Sequence, residues 1–200
     1  MKNKTQELER MRVDLDLLTA CSNGDIKEIK YLLTSPEIIN ASIHDATRIG
    51  SEAPIVACKS NNIEILKYLF FSPDIENHAS LYITNNEKQN LPIIALLQSK
   101  EETLMSLLTE EQFKNKFDLN LLDIHNLNLF QYAVLNKRKL IIDTLVFDLN
   151  LEISEDIKNW LDGIKEENKF HKDILTILQK RNLDNILHTK LTSSSNKMKI

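Results

Sequence analysis

Glycine and proline are scarce in this 200-residue chain, three and four in all, and cysteine occurs only twice. So few turn formers exclude the many tight connections of a β-sandwich or barrel, which leaves helix as the default reading. Cys21 and Cys58 are too few for a disulfide framework, and both are expected as free thiols. No stretch approaches the roughly 20 apolar residues of a membrane-spanning helix. The first twelve residues carry Lys2, Lys4, Glu7, Glu9, Arg10 and Arg12 with no apolar core behind them, which fails as a secretory signal peptide. A soluble chain is expected, cytoplasmic or delivered into a host cell without a cleavable N-terminal signal. The formal net charge of -4 leaves no overall attraction to phosphate backbones or anionic membrane surfaces, so neither nucleic acid nor membrane is an expected partner.

What is present is ordinary globular material, 42% hydrophobic and 27% charged, and it repeats. Ala20-Cys21-Ser22-Asn23-Gly24-Asp25-Ile26 through Tyr31-Leu32-Leu33 aligns, 37 residues on, with Ala57-Cys58-Lys59-Ser60-Asn61-Asn62-Ile63 through Tyr68-Leu69-Phe70, and the match runs on through Ser35/Ser72, Pro36/Pro73 and Ile38/Ile75. A third copy follows 38 residues later, with Ala95, Leu104, Leu107 and Leu108 in the slots of Ala57, Leu66, Leu69 and Phe70. A fourth lies another 38 on, with Ala133, Ile142, Leu145 and Val146. Each copy has a short apolar stretch ending on Ala, a polar break, and an amphipathic stretch with apolar residues three and four apart, which predicts helix, turn, helix with the paired helices antiparallel. In the breaks Asn23-Gly24-Asp25 and Ser60-Asn61-Asn62, Gly and Asn tolerate left-handed backbone angles and Asp or Asn can cap the next helix. Alanine at the end of each first helix lets neighbouring backbones approach closely.

These residues resemble the ankyrin repeat, with the first copy closest: Ala20-Cys21, Gly24-Asp25, Glu28-Ile29 and Leu32-Leu33 look like the second half of that consensus. The family's Thr-Pro-Leu-His element is replaced by Glu52-Ala53-Pro54-Ile55 in the second copy and by Asn128-Leu129-Phe130-Gln131 in the fourth. The period exceeds the roughly 33 residues of the family. The excess falls in Asn40 to Glu52, Asn77 to Asn90 and Asn115 to Asn128, where ankyrin repeats project finger-like turns. The fold implied is all-α: an ankyrin-like solenoid over residues 14-151 with extended fingers, preceded by a helical lead-in over 1-13. After Leu151 the period is lost. Ser154-Glu155-Asp156 opens a capped helix through Ile157, Trp160, Leu161 and Ile164. Two further runs, through Ile174, Ile177 and Leu178 and through Leu183, Ile186 and Leu187, complete a helical cap over 152-191, because an end repeat needs one wettable face. Residues 192-200, rich in Ser and Lys, are expected to be disordered.

Catalytic chemistry has no visible constellation. Cys21 and Cys58 share one slot in adjacent copies, but packed helices lie about 8 to 10 Å apart, beyond the reach of a disulfide, and two thiols do not fill a zinc site. His44, His78, His125, His171 and His188 lack ligand spacing. The acidic run Asp162-Gly163, Glu166, Glu167 and the basic run Lys137, Arg138, Lys139 read as solvated helix ends. No cofactor, metal or catalytic residue is expected. The ankyrin resemblance implies a monomeric protein-protein interaction module that uses its concave face and fingers. On that pattern the two residues after each small pair face the partner: Ser22 and Asn23, Lys59 and Ser60, Leu97 and Gln98, Leu135 and Asn136. The Lys-, Asn- and Ile-rich composition fits an AT-rich genome, where a lone ankyrin protein looks like a host- or competitor-directed factor of an intracellular bacterium, virus or phage. Two alternatives stay open: a toxin or enzyme with its activity in the C-terminal helices, and a static component of a larger complex.

Overall fold

The computed structural model describes residues 2–36, 41, 52–164, 170 and 172–183. The chain forms two compact bodies, Met1–Leu129 and Phe130–Ile200. The fold is all-α, and among the described residues extended structure is limited to one isolated antiparallel bridge, Thr84 to Asn90. The first body holds α1 (Lys2–Asn23), α2 (Ile26–Thr34), α3 (Ala53–Lys59), α4 (Ile63–Phe71), α5 (Leu91–Leu97) and α6 (Glu101–Thr109). With α7 (Leu129–Leu135) the chain passes into the second body, which adds α8 (Lys139–Asp143), a π-helical turn (Thr144–Asp148), α9 (Glu155–Gly163) and a helical stretch over 172–183.

The sequence period is written into the backbone. Helices α3, α5 and α7 each run seven residues and start 38 apart, at 53, 91 and 129; α4, α6 and α8 also start 38 apart, at 63, 101 and 139. Each first helix closes in the same way. A residue with positive φ follows it: Gly24 (79°), Asn61 (61°), Ser99 (54°) and Lys137 (55°). The next residue's N–H then reaches back to the repeated alanine's carbonyl, as Asp25 to Ala20 (3.0 Å), Asn62 to Ala57 (2.9 Å), Lys100 to Ala95 (2.8 Å) and Arg138 to Ala133 (2.8 Å). This is the Schellman closure, which satisfies a carbonyl the helix end would otherwise leave unbonded. All four alanines are buried, so the small side chain and the closing bond occupy one crowded place.

In the first body, first helices pack on first helices, α1 on α3 and α3 on α5, and α4 packs on α6. Leu66, Leu69, Leu104, Leu107 and Leu108 are all buried, as the spacing of three and four requires. Phe70, Phe71, Phe113 and Phe117 extend the core as a chain of ring contacts with centroids 5.1 to 6.2 Å apart. In the second body Ile142, Leu145 and Val146 fill the same slots and are buried, with Leu151, Ile157, Leu161 and Ile174. Ser154 caps α9 by accepting a hydrogen bond from the N–H of Ile157 (3.4 Å).

Several expectations change. Asp25 caps α2 by accepting from the N–H groups of Lys27 and Glu28 (both 3.1 Å), but Asn62 does not cap α4 with its side chain; its amide donates to the Cys21 carbonyl (3.0 Å). A cap would need the side-chain oxygen to turn toward the N–H groups of its own helix, and the bond from its amide to the neighbouring copy holds the side chain the other way. Helix α1 runs unbroken across the expected lead-in boundary at 13/14, although residues 4–12 are exposed and Asp14 is the first buried one. Apart from Ala41 and Glu52, the first finger lies outside the described residues, as do His44, Glu166, Glu167, His171, His188, Ile186 and Leu187, and the tail 192-200.

Candidate interaction surface

The eight residues selected by the repeat sit where each first helix ends. Ser22 and Asn23 finish α1; Lys59, Leu97 and Leu135 are the last residues of α3, α5 and α7; Ser60 and Gln98 follow as caps and Asn136 occupies the same slot after α7. Ser22, Lys59, Leu97 and Leu135 lie two residues beyond a buried alanine, roughly 200° round the helix from it, which turns them away from the core, and Asn23, Ser60, Gln98 and Asn136 follow where the helices end. All are exposed except Ser60, which is half-buried, and the two leucines stand out at 36% (Leu97) and 50% (Leu135) exposure. Six of the eight lie in the first body and Leu135 and Asn136 in the second.

The second and third fingers are held by hydrogen bonds of their own. Asn85 and Asp123, 38 residues apart, each organise a five-residue turn. Asn85 Oδ1 accepts from the N–H groups of Glu87 (3.0 Å) and Gln89 (2.9 Å), and Asp123 Oδ1 from those of His125 (2.8 Å) and Leu127 (3.2 Å). Each turn is closed by a backbone bond across its base, Asn85 to Gln89 (3.0 Å) and Asp123 to Leu127 (3.1 Å), and each uses a left-handed residue, Lys88 or Asn126. Short Asn and Asp side chains suit this, because they mimic a backbone turn. Three bonds join the two fingers: the Ile124 N–H to the Glu87 carbonyl (3.1 Å), Gln89 Nε2 to Asp123 Oδ2 (3.2 Å) and Asn90 Nδ2 to the Asp118 carbonyl (2.7 Å). The tips present Tyr82, Leu122 and Ile124, all exposed. Carrying the 38-residue alignment past the alanines to Asn85/Asp123 and Asn90/Asn128 would have found the turns; only the structure identifies the apolar tips.

Among the remaining candidates, Cys21 and Cys58 are buried free thiols, and burial pushes both up to about 12, so they stay protonated and unreactive at neutral pH. His78 is tied to the Ser72 carbonyl (2.7 Å), His125 is exposed on its finger, and Lys139 pairs with Asp143 (2.9 Å). Among the described residues no three His, Cys, Asp or Glu side chains gather as metal ligands, and no helix is long and apolar enough to cross a membrane. The surface offers apolar side chains and hydrogen-bonding groups on short, braced elements.

No protein-family model matches this chain, and no curated protein matches it. Among solved structures it is similar to a chain in the complex of the Bd0816 predatory endopeptidase from Bdellovibrio bacteriovorus with immunity protein Bd3460, at 18% identity and a TM-score of 0.50, covering 66% of this chain and 63% of that one. This chain therefore spans less than two thirds of the chain it matches, and at that identity the likeness shows the all-helical fold alone.

Proposed function

We propose that this chain is a protein-binding module built of divergent ankyrin-like repeats, which holds a partner protein against the ends of its first helices and its fingers. The observation that carries this reading is Leu97, an exposed leucine at the register where the preceding copies place polar Ser22 and Lys59. Exposed apolar side chains held by short, closed helices are pre-positioned, which lowers the ordering cost of association. The braced fingers add Tyr82, Leu122 and Ile124 as further anchors. A solved structure of similar fold that is itself a complex of two proteins supports a protein partner, and the thiols, protonated in the core, offer no nucleophile.

The test is cross-linking and affinity capture from the native cell, comparing the wild-type chain with a Leu97→Asp, Leu135→Asp variant. The expected result is an unfolding midpoint that barely moves together with loss of the partner, since an anchor contributes roughly 2 kcal/mol or more to binding. Intact capture by the folded variant moves the site to the fingers, and a Tyr82→Ala, Ile124→Asp variant then locates it. A wild-type chain that captures no partner overturns the reading.

A further inference from the structure

Helix α1 carries two apolar stripes, and the body uses only one. Val13, Leu17, Ala20 and Cys21 form the inner stripe; Leu17, Ala20 and Cys21 are buried. The outer stripe is Leu8, Met11, Leu15 and Leu18. Leu8 is 60% exposed, Met11 50% and Leu15 53%, and Leu18 is half-buried. Residues 4–12 are exposed without exception, so the first turns of α1 stand clear of the first body. The packed half of α1 thus carries an unpacked one, whose apolar side chains face water.

We propose that the outer stripe of α1 is a self-association surface on which two copies of this chain pair as a short, parallel coiled coil. The spacing of Leu8, Met11, Leu15 and Leu18 is three, four and three, the alternation of heptad positions a and d that forms such a seam. The flanking charges specify the second copy and its direction. In this frame Glu7 occupies position g and Arg12 the following e, which face each other across a parallel pair, so a dimer gains two symmetric Glu7–Arg12 contacts. An antiparallel pair sets g against g and e against e, placing Arg12 beside Arg12. A membrane surface fits poorly, because Glu7, Glu9, Asp14 and Asp16 balance Lys2, Lys4, Arg10 and Arg12 along this segment and leave no net cationic face for anionic lipid. The area is small against the roughly 1,200 Å² of a stable interface, so the dimer is concentration-dependent. This inference departs from the monomer expected from the sequence and is independent of the proposed partner face, whose variants leave the outer stripe untouched.

Sedimentation of the full chain between roughly 1 and 300 μM is expected to show a monomer–dimer equilibrium. Leu15→Glu should hold the chain monomeric throughout, with an unfolding midpoint equal to that of the wild-type chain at about 1 μM, where the wild type is monomeric. Glu7→Arg should raise the dimer dissociation constant at least about tenfold, and adding Arg12→Glu should restore it. Leu8→Cys should cross-link to itself under mild oxidation, which an antiparallel seam does not allow. A wild-type monomer at the highest concentration, a dimer indifferent to Leu15→Glu, or a Leu15→Glu chain that fails to fold each overturns the proposal.

Discussion

The second helices of the repeats differ between the two bodies. In the first body α4 and α6 each run nine residues as plain α-helix and end in an extended cap, Ser72 or Glu110, whose N–H bonds four residues back. In the second body the corresponding segment winds five residues as α-helix and five as π-helix, one residue longer, and closes with the Leu149 N–H on the Thr144 carbonyl (3.0 Å). The buried slots are the same in both: Leu66, Leu69 and Phe70 against Ile142, Leu145 and Val146. Apolar spacing therefore fixes which side chains go inside and leaves the winding partly free. Proline takes the chain out of α4 at Ser72-Pro73, because the residue before proline avoids the α region, but α6 ends at the same register on Glu110-Glu111, so a missing proline does not account for the longer winding of the second body. The extra residue is taken up as a π-bulge.

The largest effect should come from emptying one of these slots. Leu69→Ala, at a fully buried site between α-helices, is expected to lower stability by about 2 to 5 kcal/mol in urea unfolding, through lost contacts and a residual cavity. Leu145→Ala, equally buried but inside the π turn, should fall nearer the lower end, because an irregular turn can collapse further into the space. A loss under about 0.5 kcal/mol at Leu69 would mean the helix phase is wrong. A Leu145 cost larger than that at Leu69 would show the π turn to be the stiffer element, reversing the comparison.

Alkali should separate the bodies next, because both thiols lie in the first. Cys21 and Cys58 are raised by burial from 9.0 to about 12, so between those values the unfolded chain has lost protons that the folded chain keeps. Stability is then whole below about pH 9 and declines as pH rises toward 12, by about 1.4 kcal/mol per pH unit for each thiol. Hydrogen exchange measured at pH 7 and pH 10.5 should show the larger loss in the first body, where burial raises Tyr68 as well, and Cys58→Ala should lower the slope. A chain whose stability stays flat across that window, or whose thiols react with a disulfide reagent at neutral pH, would contradict the buried placement.

Much of this was legible in the sequence because repetition is a strong signal. The 37- and 38-residue offsets located the helix pairs and the four buried alanines, since each depends on local spacing, while the ends at Leu97 and Leu135 came from what the ankyrin resemblance implies. What could not be read depends on which neighbour a polar group finds. Asn61 looked like a turn former; its Oδ1 also accepts from the N–H and hydroxyl of buried Thr103 in the next copy (3.3 and 2.9 Å), and its amide donates to Glu102 (3.1 Å). Asn62 looked like a cap and instead holds the preceding copy. The π turn had no glycine or proline to announce it, and the apolar finger tips follow no helical period.

The smallest expected effect concerns the left-handed residue that closes each first helix. Glycine occupies this place only in the first copy, as Gly24, and the later copies use Asn61, Ser99 and Lys137 at the same positive φ. A side chain there costs roughly 1 kcal/mol against the following carbonyl, a cost that Asn61 offsets through its bonds to the third copy. Ser99 is exposed and is the position to relieve. Ser99→Gly should raise stability by about 0.5 to 1 kcal/mol, the relief of backbone strain exceeding the added freedom of the unfolded chain. Asn61→Gly should do the opposite, because it removes the acceptor of buried Thr103 while relieving the same strain, and an unsatisfied buried donor costs roughly 1 to 3 kcal/mol. The pair of variants isolates what the side chain contributes from what the backbone demands. If Ser99→Gly destabilises as Asn61→Gly does, the four closures are not equivalent, and the 38-residue period is a property of the sequence that the backbone energetics do not share.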